Sequence, residues 1–271
     1  IVVATPNASH VPLARAALER GYHVVVDKPI AASAGDARDL VAYARLCNRL
    51  LTVFQNRRWD GDFLTIRRLV QEGALGSVFR FESRFERWRP TPKTGWRESG
   101  AAGDAGGTLF DLGTHLIDQA LMLFGPARDV YAEVDKRRAG VAVDDDAFVA
   151  MTHQSGVRSH VWVSATAPQL GPRFRVLGTT AGYTKWGLDG QEDALKAGGR
   201  PTDGVWGLEP ESTWGVLGGG ETLTTIRTDA GQWPEFYRLM AAAVRGEGPV
   251  PVDPATVIPV LEIIERARKA R

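Results

Sequence analysis

The apolar positions of this chain change period partway along, and the change divides it in two. Ile1-Val2-Val3-Ala4-Thr5 is an unbroken apolar run that reads as a strand buried on both faces, with neighbours on either side. Ala14, Ala17 and Leu18 follow at helical spacing until Gly21, which takes the position just past a helix end. Tyr22 to Val26 is a second short strand, closing on Asp27-Lys28-Pro29. Ser33 and Asp36 read as a capping box, and Ala37, Leu40, Val41, Ala44 and Cys47 continue a helix from it. Leu50 to Phe54 is a third strand, running into Gln55-Asn56-Arg57-Arg58. Alternation of strand and helix predicts a parallel sheet covered by helices, with any ligand beyond the carboxyl ends of the strands.

After a helix predicted over Asp62 to Glu72, the period falls to two: Phe79, Phe81 and Phe85 alternate with Arg80, Glu82, Arg84 and Glu86. Further strands are predicted at Val130 to Lys136, Ala147 to His153, Val157 to Ala165, Phe174 to Leu177 and Thr222 to Arg227. Runs of such strands after an α/β half predict a largely antiparallel sheet with one open face. Two segments break the pattern. Arg89 to Gly107 is a loop long enough to suggest a functional role, and Gly187 to Gly220 is an insert with little periodicity. Two helices close the chain, one opened by Pro234 and one capped by Asp253-Pro254. The expected division is residues 1–60 as a helix-covered parallel-sheet portion and 61–271 as a second, α+β domain.

Composition narrows the function without naming it. Over 271 residues the net charge is +1, which gives no reason to expect a nucleic-acid or membrane partner. No apolar run approaches the roughly 18–20 residues of a membrane span. The single cysteine, Cys47, excludes an intrachain disulfide, fits a reducing cytoplasm and lies on an apolar helical face, so it reads as core.

The candidate chemistry centres on Gly106-Gly107-x-x-x-Asp111-x-Gly113-x-His115-x-x-Asp118. On a helix, Asp111 and His115 share a face, and a histidine beside a carboxylate is a proton-transfer pair. A buried helix whose Asp and His are satisfied locally is the alternative. Lys28 closes a buried strand, where its ammonium can polarise a substrate oxygen or simply meet solvent. Thr5-Pro6-Asn7, with His10 a turn later, suits either a nucleotide edge or an ordinary strand-to-helix turn. Gln55 and Arg57 could line a cofactor or cap a strand. A different reading uses Asp111, His115 and Asp118 as three metal ligands of a hydrolase, although no second His cluster completes such a shell. A third is a non-catalytic relative. The indoles of Trp96, Trp162, Trp186 and Trp206 could stack on a pyranose ring or pack as core.

Taken in order, Thr5-Pro6-Asn7-x-x-His10, Gly21-x-His23-Val24 leading to Asp27-Lys28-Pro29, and the Gly106–Asp118 motif resemble the Gfo/Idh/MocA family of NAD(P)-dependent oxidoreductases. The resemblance implies the C-terminal part of a Rossmann domain followed by an open-faced, largely antiparallel sheet domain with helices on one face. It also implies NAD or NADP as cofactor, a sugar or polyol substrate, and a homodimer or homotetramer formed through the open sheet face. The family's catalytic Lys, Asp and His fall on Lys28, Asp111 and His115, with Asp111 positioning His115 or a substrate hydroxyl. Its cofactor contacts fall on Thr5, Pro6, Asn7, His10, Asp27, Lys28, Pro29, Gln55, Arg57 and Arg97, and no metal is implied. Asp27 stands where the family has Glu.

One departure matters. The family's Gly-x-Gly-x-x-Gly turn and its ribose-reading acid precede the point corresponding to Ile1. The expectation is therefore that an upstream segment belongs to the natural protein, and that this chain alone binds nicotinamide dinucleotides weakly or not at all.

Overall fold

The computed structural model describes residues 1–98 and 100–269. Ser99, in the long loop, and residues 270–271, at the end of the second expected domain, lie outside the described residues.

The first unit is built as the periodicity predicts. Strands β1 (Val2–Val3), β2 (Val24–Asp27) and β3 (Leu51–Phe54) form a parallel sheet in that order, with α1 (His10–Glu19) and α2 (Ala34–Leu46) as the crossovers. Ser33 caps α2 as expected: its Oγ accepts from the Asp36 amide at 3.0 Å and donates to the Asp36 carboxylate at 2.7 Å. The first strand is less enclosed than its composition suggests. It pairs with β2 alone among the described residues, so Ile1 and Val2 are exposed while Val3 is buried. Cys47 ends α2 partly buried against the core.

Helix α3 (Gly61–Gln71) leads to β4 (Val78–Glu86), and the long loop then delivers the chain into a π-turn over Leu109–Gly113 that continues as α4 (Thr114–Phe124). The remaining strands are β5 (Ala127–Asp135), β6 (Asp146–His153), β7 (Arg158–Ser164), β8 (Phe174–Gly178) and β9 (Gly182–Lys185). After α5 (Gln191–Lys196) come β10 (Gly215–Gly219) and β11 (Thr222–Ile226). With β4 they make an eight-stranded sheet in the order β11-β10-β9-β8-β4-β7-β6-β5, antiparallel except for the β4–β7 pair. The insert is more ordered than its sequence suggests. Its glycines hide the alternation of β10, which the register with β9 and β11 supplies instead.

In β6 and β7, Ala147, Val149, Met151, Val161 and Val163 point inward, and Phe148, His160 and Trp162 form the open face. Helix α4 packs on the inner face, and its Leu116, Ile117 and Ala120 are fully buried. Helices α6 (Trp233–Val244) and α7 (Ile258–Lys269) close the chain by returning to the first unit. Thr52 of β3 donates to the Val252 carbonyl at 2.8 Å, and the Glu265 carboxylate accepts from the Ala34 amide at 2.6 Å. Because α7 touches α2, α4 and β5, it holds the parallel sheet at a set distance from the antiparallel one. The cleft between them contains the site.

Candidate active site

Lys28 leaves the carboxyl end of β2 and reaches across the cleft to the π-turn that leads into α4. Its Nζ lies 3.0 Å from Asp111 Oδ1 and also donates to the Asp111 backbone carbonyl. That carbonyl sits in the π-turn, where the wider winding loosens the usual i+4 partnership of backbone groups. Arg97 approaches the same carboxylate at 3.5 Å and stacks on Trp96. Burial works to raise the Asp111 pKa, but Lys28, Arg97 and Arg87 overcome it and hold the carboxyl at about 2. Asp111 is therefore ionised and committed to cations.

This corrects one expectation. No hydrogen bond joins Asp111 to His115 among the described residues; Asp111 pairs with Lys28, which leaves only the substrate-hydroxyl alternative for its carboxylate. His115 lies one step into α4, nearly buried, with its Nδ1 unpartnered, and it lines the same cleft. Burial first, then the charges of Lys28, Arg57, Arg173 and Arg87, push its pKa well below the usual histidine value. The ring is thus neutral at neutral pH.

The π-turn is braced from the connection between β5 and β6. Asp144 accepts from the Leu109 amide at 2.8 Å, and its backbone carbonyl accepts from the Thr108 amide at 3.0 Å. Gly107, at φ +100°, lies so close that a Cβ there would fall 2.4 Å from Asp144 Oδ1. The glycine is needed both for its backbone angle and for that close approach. Beneath the helix, Gln119 donates to the Arg57 carbonyl at 2.8 Å and accepts from buried Arg173 at 3.0 Å, so α4 is fixed to both flanking units.

Asp118 does not join this face. Arg58 grips it with two bonds, Nε to Oδ2 at 2.8 Å and Nη2 to Oδ1 at 2.6 Å, in a buried fork. Asp111 and Asp118 are each held by a different cation, and no group of three His, Cys, Asp or Glu side chains suited to a metal occurs among the described residues. The three-ligand reading therefore fails on geometry.

The other expected cofactor contacts divide. Thr5, Asn7, Asp27, Lys28, Pro29 and Arg97 line one narrow recess beside the cleft, with Trp96 and Gly107. Asn7 donates to the Asp104 carbonyl at 2.9 Å and so ties the first strand end to the long loop. Pro6 is exposed beside the recess. His10 is corrected: it is buried, with its ring nitrogens 2.8 Å from the Pro29 and Thr5 carbonyls, and it clamps two strand-end loops together. Gln55 is also buried, its amide unpartnered, and it does not line the cleft. Arg57 does line it, held by Asp60 at 3.1 Å and Glu192 at 2.8 Å.

The cleft has a volume of about 680 Å³. Of the tryptophans proposed for sugar stacking, Trp96 lines it; Trp162 stacks on Phe148 in the open sheet face, Trp186 is exposed and Trp206 donates to Gln191. Trp233, Glu192, Arg138 and Arg87 also line the cleft, although no sequence motif marks them. Arg87 had a signal: it shares the parity of Phe81, Ser83 and Phe85, which β4 turns inward.

Residues 63–184 match the profile described as the GFO/IDH/MocA C-terminal domain, and residues 1–55 match that of the oxidoreductase family with NAD-binding Rossmann fold. The oxidoreductase YdgJ of Escherichia coli is 41% identical over 98% of this chain and 76% of its own length. The chain belongs to the Gfo/Idh/MocA family of oxidoreductases. A second member, the NADP(+)-dependent scyllo-inositol 2-dehydrogenase IolW of Bacillus subtilis, is 35% identical over all of this chain and 76% of that protein. Among solved members, the yvaA oxidoreductase of Bacillus subtilis superposes with a TM-score of 0.93 at 36% identity, covering 99% of this chain and 77% of that one.

As in the family, the cofactor is NAD or NADP, and the residues present fit its nicotinamide end. The recess pairs polar donors with the flat Trp96 indole, and it opens beside a neutral, unpartnered imidazole and an anchored ammonium.

Proposed function

We propose that this oxidoreductase passes a hydride between a sugar or polyol CH–OH group and NAD or NADP, with Lys28, Asp111 and His115 as its proton-transfer site. The observation that supports this most directly is the placement of two side chains around one cleft. The Lys28 ammonium is anchored by Asp111 at its mouth, and the unpartnered, neutral His115 stands in its wall.

When bound, the nicotinamide supplies the hydride acceptor. The chain's own residues handle the hydroxyl. Lys28 donates to the substrate oxygen and stabilises the charge that grows there as the O–H bond weakens. His115 takes the hydroxyl proton, and in the reverse direction returns it. Asp111 keeps Lys28 in place and neutralises its charge between turnovers. Thr5, Asn7, Asp27 and Arg97 would hold the cofactor, while the Trp96 indole would pack against a ring. A polyol substrate also agrees with the activity named for IolW.

A second copy of the chain would cover the open face of the large sheet, where Tyr131, Phe148, His160 and Trp162 form a continuous aromatic strip. The functional test is nicotinamide-linked oxidation of cyclic and open-chain polyols by the product of the complete reading frame. His115→Ala should lower kcat by about 10²-fold or more. Turnover unaffected by that substitution would remove His115 as the base.

A further inference from the structure

The wall of the cleft carries seven Lys or Arg side chains against five Asp or Glu. Most of these cations have partners. Lys28 and Arg97 share Asp111, Arg57 has Asp60 and Glu192, and Arg138 has Glu98 and Asp145. Arg87 is different. Its guanidinium makes no hydrogen bond or ion pair among the described residues, and its only side-chain contact of this kind is with the face of buried Phe85, at 4.7 Å. The carboxylates whose fields reach it, Asp111 and Glu192, are held by other cations.

The backbone around it is fixed. The Arg87 amide donates to the Ser164 carbonyl at 2.8 Å, its own carbonyl accepts from the Ala167 amide at 3.1 Å, and the Arg89 amide donates to the Ala165 carbonyl at 2.8 Å. Arg89 lines the same wall, and its side chain likewise has no ion-pair partner among the described residues. Burial and the neighbouring charge of Arg89 lower the Arg87 pKa from its usual value, so the pair carries an electrostatic cost in the free protein. A rigidly mounted, partly buried guanidinium facing a ligand cleft suits a planar or tetrahedral oxyanion, which it can grip through two parallel N–H bonds.

We propose that Arg87, seconded by Arg89, binds an anionic group on the substrate, so that the preferred substrate is a sugar acid or a sugar phosphate in place of a neutral polyol. This rests on the dehydrogenase reading above and sharpens it to a substrate class. Carboxylate and phosphate present the same oxyanion chemistry to a guanidinium fork, and the two are separated by the choice of probe.

The test compares kcat/KM and calorimetric affinity for D-glucuronate and D-glucose 6-phosphate with those for scyllo-inositol and D-glucose. It uses the product of the complete reading frame with NAD and NADP, as wild type, Arg87→Met and Arg87→Lys. Thermal unfolding of each variant shows that it is folded. The expected result is at least a tenfold preference for one of the anionic sugars, and which of them is preferred identifies the group. Arg87→Met should reduce that preference at least tenfold, and Arg87→Lys, with a point charge but no fork, should retain part of it. Arg87→Met should also raise the His115 pKa measured by NMR, a readout independent of turnover. A wild-type preference for neutral polyols, or an anion preference unchanged in Arg87→Met, overturns the inference and leaves the dehydrogenase reading standing. A loss confined to NAD or NADP affinity overturns it as well, because it assigns Arg87 to the cofactor. If no sugar of either kind binds or turns over, the dehydrogenase reading itself fails and this inference with it.

Discussion

The Lys28 ammonium and the Asp111 carboxylate, 83 positions apart in sequence, meet at 3.0 Å across the cleft between the two sheets. The contact couples the end of a Rossmann strand to the π-turn that leads into the helix carrying His115, so it fixes that helix relative to the NAD-binding half. Asp111→Asn should weaken that coupling. It should lower kcat more than it raises KM and should destabilise the fold by about 1–3 kcal/mol. The pH dependence has a definite sign. The folded carboxyl sits at about 2, below its unfolded value, so the stabilisation is present above about pH 4 and is lost as pH falls towards 2. Denaturant titrations of the wild type and Asp111→Asn should converge in that window; parallel curves would show that the pair contributes no stability.

His115 should make the protein acid-sensitive at a higher pH. Its folded pKa is depressed, chiefly by burial, so below about pH 6.5 the unfolded chain takes up a proton that the buried ring refuses. Stability from this source is complete above that pH and declines below it, by up to about 1.4 kcal/mol per pH unit. His115→Gln should flatten the stability profile between pH 7.5 and 5 by this amount. Equal slopes for the two proteins would show that the ring is not held neutral.

Gly107→Ala should be damaging for so small a change. The new methyl group meets the Asp144 carboxylate, and the residue must hold φ +100°. A loss of about 1–3 kcal/mol in stability is expected, with kcat falling because the π-turn that presents Asp111 is displaced. Gly73→Ala provides the comparison: it shares the positive φ but has nothing within 4 Å of the added Cβ. Equal effects from both would mean that the contact with Asp144 is immaterial.

Arg58→Ala should leave Asp118 charged, buried and alone. Removing one member of such a forked pair costs about 3–5 kcal/mol, whereas Arg58→Met combined with Asp118→Leu should recover much of that loss. A double-mutant cycle in urea measures the coupling. A value near zero would mean that solvent reaches the pair.

Phe148→Arg on the open sheet face should convert a dimer or tetramer into monomers, read by light scattering, without altering the unfolding of the isolated subunit. Phe148 packs against Trp162 at 4.9 Å and meets His160 edge-to-face at 5.8 Å, so the substitution breaks the aromatic strip at its centre. An unchanged mass would rule this face out as a subunit interface.

What the sequence determined by itself was the local frame. Periodicity established the parallel β/α unit, the switch to alternating strands at Phe79, and the side of each element that faces inward. The order of the three motifs identified the family and brought Lys28, Asp111 and His115 forward together. Those are properties of short segments, where the spacing of apolar residues dictates the face a side chain takes. What crosses to meet that face was decided by the tertiary structure. Spacing alone placed Asp111, His115 and Asp118 together, but Lys28 arrives from β2 to hold the first, and Arg58 arrives from beyond β3 to hold the last. His10, legible as a turn residue near a nucleotide site, became a clamp because two strand-end carbonyls converge on its ring. The π-turn was invisible for the same reason: Asp144, packed beneath Gly107 from the far side of α4 and β5, braces it. Arg87 could be read as inward-facing from its parity with Phe85, yet its lack of a partner emerges only when every carboxylate near it has been assigned to another cation.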